Sequence, residues 1–573
     1  MAATCEQLFP ESVPRNFSDG VHPAVERGGD TAAFIDRISG QAWVDEGDNL
    51  GRHALLYTEL EDRTFEEIMA IGEKLEKDAR AKGMEVTVEE DFAGNVYITL
   101  IGNDPRAKKI LIESHGDSVP RGGRVDGVYG IASGFTLVRK FIEEGRRPAK
   151  SLMVGAFRGE ESSKTKFGCL GSALATGSVT IEKLKAVKNE SSGKSIFHEL
   201  KERFCQKNAQ ILSDDQFEAV LQKELRVRSD FLKKIAYVVE VHPEQADILQ
   251  TLDKSMAAVT TIGAAERYDL IFDGNVFEQF YPQMFVSAEG PVERIKLKIT
   301  GQADHSGAAP MNGEKIGDKT YFRRDALVET ARIFAEIMAR PVEGLAVVGI
   351  SVPGGGVNTV PGICELEILV LRSLRGNVLQ NIENKMNGGF ELNAEITNEN
   401  VLESVQSIRD EVVKKIFDLI VTIDHHATDF AVRTGGKVRV TMGNIQIKEG
   451  KIIVNIDQRK ANEEWHGQLR SSLFGVVDEV AGELRSLGVN LERTSPNNAD
   501  IANCSETLID IADRVFKVLN RDLEMKKLVS MPGHDLAKFI LKDVPSILFF
   551  VRSFNGSHNP NEAVKADDIL EMD

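Results

Sequence analysis

Cysteine is scarce in this chain: Cys5, Cys169, Cys205, Cys364 and Cys504 are the only five among 573 residues, and none shares a C-x-x-C spacing. An odd, scattered set excludes a disulfide framework and sets the expectation of a reducing compartment, the cytoplasm. Positive charge is also short. Lys and Arg number 70 against 88 Asp and Glu, a formal net charge of -18. A nucleic-acid binder needs a basic face against phosphate, so no nucleic-acid partner is expected, and the acidic excess reads as solvated surface. Long apolar runs are missing too. The longest, around Val544 to Val551, has strand length and cannot span a bilayer, so no membrane partner is expected. The opening MAATCEQLFPESVPRNFSDG has no basic segment followed by an apolar one, and no secretory signal is expected.

What is present is length and pattern. A chain of 573 residues is too long for one core and predicts two or three folding units. The first sixty residues are weakly periodic and are expected to wrap the surface. Thr64 and Glu67 form a capping-box pattern ahead of an apolar stripe at Ile68, Ile71 and Leu75, which predicts a helix from Thr64. NVYITLIG, KKILIESHG, SLMVGAFRGEE and IAYVVEVH read as strands, GFTLVRKFIEEG as a helix, and residues 179–235 as charged helices. Strands of that kind separated by helices indicate an α/β sheet buried on both faces.

Near residue 260 the texture changes. ERIKLKITG alternates as a strand, and RRDALVETARIFAEIMARP is an amphipathic helix stopped by Pro341. Two similar strand–turn–strand–helix blocks follow, one into a helix near Val378 and one into a helix through Trp465 and Val476, the pattern of an internal duplication. The α/β texture then returns. The expected organisation is an α/β domain in two parts, residues 1–259 and 496–573, interrupted by an α+β domain over 260–495.

A two-metal hydrolase needs His and carboxylate ligands delivered from strand ends to one point, one carboxylate shared by the metals and another left free as a base. Five places fit. His115 ends a strand in ESHGDSV, where Asp117 could accept its second ring N–H. Asp126 sits among glycines in GGRVDGVYG, adjacent Glu160 and Glu161 follow a strand in FRGEES, His242 ends a strand in VVEVHPEQ, and His558 lies in the turn NGSHNP. Each is commonplace alone: strand-end histidines, solvated glutamate pairs and Asp–Gly turns are frequent. His425 and His426 have nothing around them to complete a metal site and read as an exposed loop, and Gly354 to Gly356 as a flexible turn rather than a phosphate cradle.

Order and wording together decide more. SHGDSVPRGGRVDGVYGIASG, FRGEES with FGCLGSAL, EVHPEQ, GQADHSGAAPM with RRDAL, VNTVPG, MPGHDLA and GSHNPNEA, preceded by DFAGNVYITLIG, run in one series from about Arg52 to the C-terminus. The series resembles the hydantoinase/carbamoylase amidases: N-carbamoyl-L-amino-acid hydrolases, allantoate amidohydrolases and β-ureidopropionase-like enzymes of the two-metal zinc-aminoacylase/exopeptidase clan. The resemblance implies a mixed-sheet, metallo-exopeptidase-like catalytic α/β domain interrupted by an α+β lid that also forms the dimer. It implies His115, Asp126, Glu161, His242 and His558 as ligands of two divalent ions (Zn, Mn or Co), with Asp126 shared. It further implies Glu160 as general base, Asp117 as the partner of His115, and a substrate carrying a carboxylate.

In the lid, His305 matches the histidine that reaches a partner subunit's site in a homodimer. Gln245, Asn358 and His534 match substrate-binding positions. Where the family reads H-I-E-Q-G this chain reads HPEQA, so Pro243 and Ala246 reshape that pocket. The family's Asp-x-Arg lid strand is ILVLR here, with Val370 in place of Asp and Arg372 kept, whereas NIDQR in the second block supplies Asp457 and Arg459. Either arginine could hold the carboxylate, and Arg372 is favoured because Asn358 and Pro361 directly precede it. The lid is about twice the usual size. An aminopeptidase, dipeptidase or N-acyl-amino-acid deacylase with the same metal centre is the runner-up, and an inactive scaffold the alternative from outside the enzymes.

Overall fold

The computed structural model describes residues 30–40, 43–44, 51–52, 59–119, 122–162, 165, 167–189, 191–284, 291–339, 342–356, 358–494, 497–519, 525–558 and 560–565. The expected stop at Pro341 and most of the opening sixty residues lie outside them. The chain forms two compact units, one holding the described residues up to Thr260 with Asn503–Leu528 and those from His534 on, the other Thr261–Ala502 with Val529–Gly533. Among the described residues no helix is long and apolar enough to cross a membrane.

The first unit begins with helices α1 (Asp30–Gly40) and α2 (Glu59–Ala81) and strands β1 (Val86–Glu90), β2 (Val96–Leu100) and β3 (Lys109–His115). Helix α3 (Val128–Glu143), strand β4 (Leu152–Phe157), helix α4 (Leu170–Ala175) and the charged helices α5 (Ile181–Ala186), α6 (Ile196–Lys207) and α7 (Asp214–Lys233) follow. They lead to β5 (Ile235–Pro243) and β6 (Met256–Ile262). Two expectations fail here. The stretch 30–40 does not wrap the surface: Ala32, Phe34, Ile35 and Ile38 are buried in the core, with Phe34 edge-on to Phe135. The helix is only about three turns long, and its apolar stripe does not stand out from weakly periodic surroundings. Thr64 is not an N-cap either, because α2 starts at Glu59 and Thr64 is buried inside it. The S/T-x-x-E pattern marks a possible start, and an equally polar run ahead of it continues the helix.

The second unit contains two units of one topology, one inside the other. The outer is β7 (Ala264–Gly274), then, beyond the insertion, α10 (Asp410–Thr434), β12 (Val438–Lys448), β13 (Lys451–Lys460), α11 (Glu463–Ser486) and β14 (Val489–Arg493). The inner, inserted between β7 and α10, is β8 (Val292–Thr300), α8 (Ala326–Ile337), β9 (Leu345–Ser351), β10 (Ile363–Leu371), α9 (Arg372–Lys385) and β11 (Glu391–Asn398). Both are βαββαβ, and both sheets are antiparallel with the fourth strand beside the first, then the third, then the second. The two blocks singled out in the sequence are the strands two and three and the second helix of these units. His425 and His426 lie within α10 rather than in a loop. The buried stripe Val412, Ile416, Leu419, Ile423 and Ala427 runs past them at helical spacing and carries them in its turns. Arg372 is the first residue of α9, not part of the strand.

The chain returns to the first unit and adds β15 (Ser546–Val551). The sheet there runs β6-β15-β5-β3-β4-β2-β1, with β15, β5, β3 and β4 mutually parallel and antiparallel strands at both flanks. The parallel strands are apolar on both faces because α2 and α3 cover one and α4 to α7 lie beyond the other. Their carboxyl ends share one edge, where α/β sheets collect ligand-binding residues.

Candidate metal centre

Each residue of the site is delivered by an element end. His115 is the last residue of β3 and His242 the penultimate residue of β5. Glu160 and Glu161 follow β4, and His558 sits in the turn after β15 at a left-handed φ of 59°. Asp126 precedes α3, and the next residue explains the spacing. A Cβ on Gly127 would lie 2.4 Å from His115 Cε1 and 2.5 Å from its Nδ1, so only glycine lets the Asp126 backbone come this close. The DFAGN turn fixes the exit of β4. Asp91 Oδ1 accepts the N–H groups of Ala93 and Asn95, and the Asn95 amide bonds the Arg158 N–H and the Gly171 carbonyl.

The five residues come together as two buried triads, His115–Asp126–His242 and Asp126–Glu161–His558, with Asp126 in both. Within each triad the donor atoms lie within 4.8 Å of one another. His242 Nε2 is 3.4 Å from His115 Nε2 and 3.4 Å from Asp126 Oδ1. His558 Nε2 is 3.7 Å from Asp126 Oδ2 and 3.5 Å from Glu161 Oε1. Four ligands placed tetrahedrally at about 2.1 Å from a zinc ion are about 3.4 Å apart, so these spacings fit such an ion.

The tautomers point the same way. His115 Nδ1 faces the Asp117 carbonyl at 3.2 Å and His242 Nδ1 faces the Pro243 carbonyl at 2.9 Å. Carbonyls only accept, so the ring protons sit on Nδ1 and the two Nε2 lone pairs face each other across 3.4 Å. The two lone pairs repel unless a cation, either a proton on His115 or a metal ion, lies between them. Burial, with His534 beside it, holds His242 down to about 4, a neutral ligand at physiological pH. Burial would also lower His115, but Asp117, Glu160 and Asp126 around it outweigh that and raise it. Burial lifts Glu161, as do the neighbouring charges of Asp126 and Glu160. The cluster is a buried excess of carboxyl groups over cationic side chains.

Asp117 does more than face His115. Its Oδ1 accepts the Glu160 N–H and its Oδ2 the Glu161 N–H, both at 3.1 Å, while its carboxylate stands 3.6 Å from His115 Nδ1. It holds the Glu–Glu backbone first and faces the histidine second. Glu160 Oε2 is 4.0 Å from His115 Nε2, and burial raises its carboxyl, with the charge of His115 opposing. Gln245 donates from Nε2 to Asp126 Oδ1 at 2.8 Å. His534 packs edge-on against His242, ring centroids 4.8 Å apart, and its Nδ1 is 3.6 Å from Glu240 Oε1. Glu240, His242 and His534 form a third buried set. Since His242 Nε2 already faces the first triad, this set reads as a support that orients His534.

In the second unit, His305, Asn358 and Arg459 are neighbours. His305 pairs across a short ladder with Thr359, and the Ser306 N–H donates to the Asn358 carbonyl at 2.9 Å. Arg459 is buried, forked onto Asp457 at 2.9 and 2.7 Å, and 3.4 Å from Ser306 Oγ, which itself donates to Asp457. Arg372 is not part of this group. It is half-exposed, on Glu293 and the Glu399 carbonyl. Val370 removes the acid that would hold it along the strand, and the side chain turns to Glu293 instead. His305 Nδ1 accepts the Gly307 and Ala308 N–H groups, both at 3.1 Å, which leaves the ring proton on Nε2.

Sequence reasoning missed Glu240, Asp535, Ser172 and Cys169. Glu240 is two residues before His242 on the same strand face, a signal that was available. Asp535, which accepts from Ser172 Oγ across 363 residues, and Cys169, whose Sγ is 3.4 Å from Glu160 Oε1 once the chain has turned back after β4, announce themselves only through tertiary contacts.

The sequence pattern of the peptidase family M20/M25/M40 matches residues 111–572. The chain belongs to that family. An N-carbamoyl-L-amino acid amidohydrolase of Geobacillus stearothermophilus is 28% identical over 57% of this chain and 69% of its own length. A ureidoglycolate hydrolase of Arabidopsis thaliana is 30% identical over 33% of this chain and 38% of its own length. Both names denote hydrolases of carbon–nitrogen bonds, and the family places this chain among such hydrolases. A hydantoinase/carbamoylase-family amidase from Burkholderia vietnamiensis superposes with a TM-score of 0.51 at 17% identity over 95% of this chain and 96% of that one. It speaks for the fold alone.

Proposed function

We propose that this member of the M20/M25/M40 family hydrolyses the ureido C–N bond of a small carboxylate, an N-carbamoyl-L-amino acid or allantoate. The observation that carries the reading is the pair of triads around Asp126 with the Nε2 atoms of His115 and His242 turned toward each other. His115, Asp126 and His242 would hold one divalent ion (Zn, Mn or Co), and Asp126, Glu161 and His558 a second. When bound, the two ions supply Lewis acidity at the carbonyl and lower the pKa of the attacking water toward neutrality.

Glu160 takes the proton of that water as it attacks the ureido carbonyl, then passes it to the leaving nitrogen. Its backbone position is fixed by Asp117. Gln245 and His534 line the same centre, beside Asp126 and His242. The lid group supplies the rest, in the site of a second copy of the chain. His305 offers its Nε2–H to the tetrahedral oxyanion, while Asn358 and Arg459 hold the substrate carboxylate, the arginine with a planar fork. Arg459 takes this role rather than Arg372 because it stands in the His305 and Asn358 group. The described cysteines are free thiols, which fits work in the cytoplasm.

A substrate panel tests this. N-carbamoyl-L-amino acids should release ammonia and carbon dioxide, or allantoate ammonia, faster than dipeptides or N-acetyl amino acids are cleaved. Chelation should abolish turnover and two equivalents of a divalent ion should restore it. Faster dipeptide cleavage would move the protein to the peptidases, and full activity after metal removal would overturn the mechanism.

A further inference from the structure

We propose that Cys169 is a positioning residue for Glu160, its S–H donating to one carboxylate oxygen so that the other is left to face the reacting water. The proposal rests on the reading of Glu160 as general base. Three contacts of Glu160, two of them with Cys169, support it. The Glu160 N–H is held by Asp117, its carbonyl accepts the Cys169 N–H at 2.8 Å, and its Oε1 lies 3.4 Å from Cys169 Sγ. Backbone and side chain are thus gripped from both sides.

The local fold is built around that grip. Cys169 N–H to Glu160, Leu170 N–H to Gly159 and Gly171 N–H to Arg158 form three successive bonds of 2.8, 2.8 and 2.7 Å between the start of α4 and the exit of β4. Cys169 is the N-cap of α4, yet its side chain makes no capping bond, and its φ of 56° is one that residues other than glycine rarely adopt. The thiol is turned away from the helix N–H groups and toward the carboxylate. Burial pushes the thiol well above its ordinary pKa, with Glu160 and Asp535 adding to the effect, so at neutral pH it stays an S–H donor. Glu160 Oε2, the other oxygen, faces His115 Nε2 at 4.0 Å. A base whose carboxylate is pinned by one oxygen loses little orientational freedom before the proton moves.

The test compares donors at one position in the metal-loaded enzyme, on the N-carbamoyl-L-amino acid turned over fastest. Cys169→Ala should lower kcat about two- to tenfold, the range of one modest hydrogen bond, with KM and metal content unchanged. Cys169→Ser, a better donor in the same space, should restore kcat. Cys169→Gly, favoured at this φ, should behave like the alanine variant and shows that relief of backbone strain is not the cause. A second reading needs no substrate: the infrared S–H stretch of Cys169, isolated by subtracting the Cys169→Ser spectrum, should move to higher frequency in Glu160→Ala. Wild-type kcat in Cys169→Ala, equal losses in the alanine and serine variants, or an unmoved S–H band would each overturn the proposal. Glu160→Gln separates the two layers. If it is inactive while Cys169→Ala is normal, only the positioning role fails, whereas a normal Glu160→Gln removes the base and the proposal with it.

Discussion

Asp117→Asn changes one atom and should disable the centre, for a reason that can be worked from the structure. The Asp117 carboxylate is buried and spends one oxygen on each of the Glu160 and Glu161 N–H groups, at 3.1 Å. An asparagine keeps one acceptor and sets an NH2 against the other N–H, two donors face to face. The variant therefore loses one charge-assisted hydrogen bond and leaves a buried N–H unsatisfied, about 1.5–3 kcal/mol. The loss falls on the backbone that aims Glu161 at His558 and Asp126, so it is paid in metal affinity: roughly 10- to 100-fold, the usual effect of removing a group that orients a ligand. Competition of the apoprotein against a fluorescent chelator measures it directly. At saturating metal, kcat should still fall, because Glu160 shares the displaced segment. Wild-type affinity and wild-type turnover together would refute the claim that Asp117 sets the Glu160–Glu161 geometry.

Glu160→Gln should bind metal normally yet lose kcat by about 100- to 10,000-fold, measured by single-turnover ureido hydrolysis. Gly127→Ala should lose metal affinity and thermal stability together, since its methyl group would enter the His115 ring; a calorimetric Tm within a degree of wild type would contradict the packing. Arg459→Ala should raise KM sharply while Arg372→Ala leaves it within twofold, and the reverse result would return the carboxylate to the sequence-based choice. His305→Ala and Glu160→Gln proteins, each nearly inactive, should regain up to about one native-like site per mixed dimer if the histidine is supplied in trans; no recovery after verified subunit exchange would refute the shared site. Burial raises Asp325, the N-cap of α8, to about 7 from an ordinary 3.8. The folded state then holds an extra proton between those values, so its contribution to stability falls as pH rises through the window. Between pH 5.5 and 7.5 it should drop by about 2 kcal/mol in urea unfolding, a slope that Asp325→Asn removes.

The local sequence carried what depends on neighbours along the chain. The strand runs of the first unit, the Glu–Glu pair after β4, the strand-end histidines and the glycine beside Asp126 are all legible because a few adjacent residues fix each one. Their order along the chain was enough to propose a metal centre. Where it misled, the cause was equally local: a capping-box pattern at Thr64 that did not start a helix, and a His–His pair that read as a loop until α10 closed around it. Tertiary structure alone decided which of the two arginines stands with His305, because Asp457 and Arg459 reach Ser306 from more than 150 residues away while Arg372 pairs with Glu293 instead. It alone showed that the second unit holds one βαββαβ unit inserted into another, since strand order is set by pairing rather than by succession. It alone brought Cys169 to Glu160 and Asp535 to Ser172. Such hydrogen bonds, one across a nine-residue turn and one across 363 residues, leave no periodicity for a sequence to display, and they help to aim the side chains of the site.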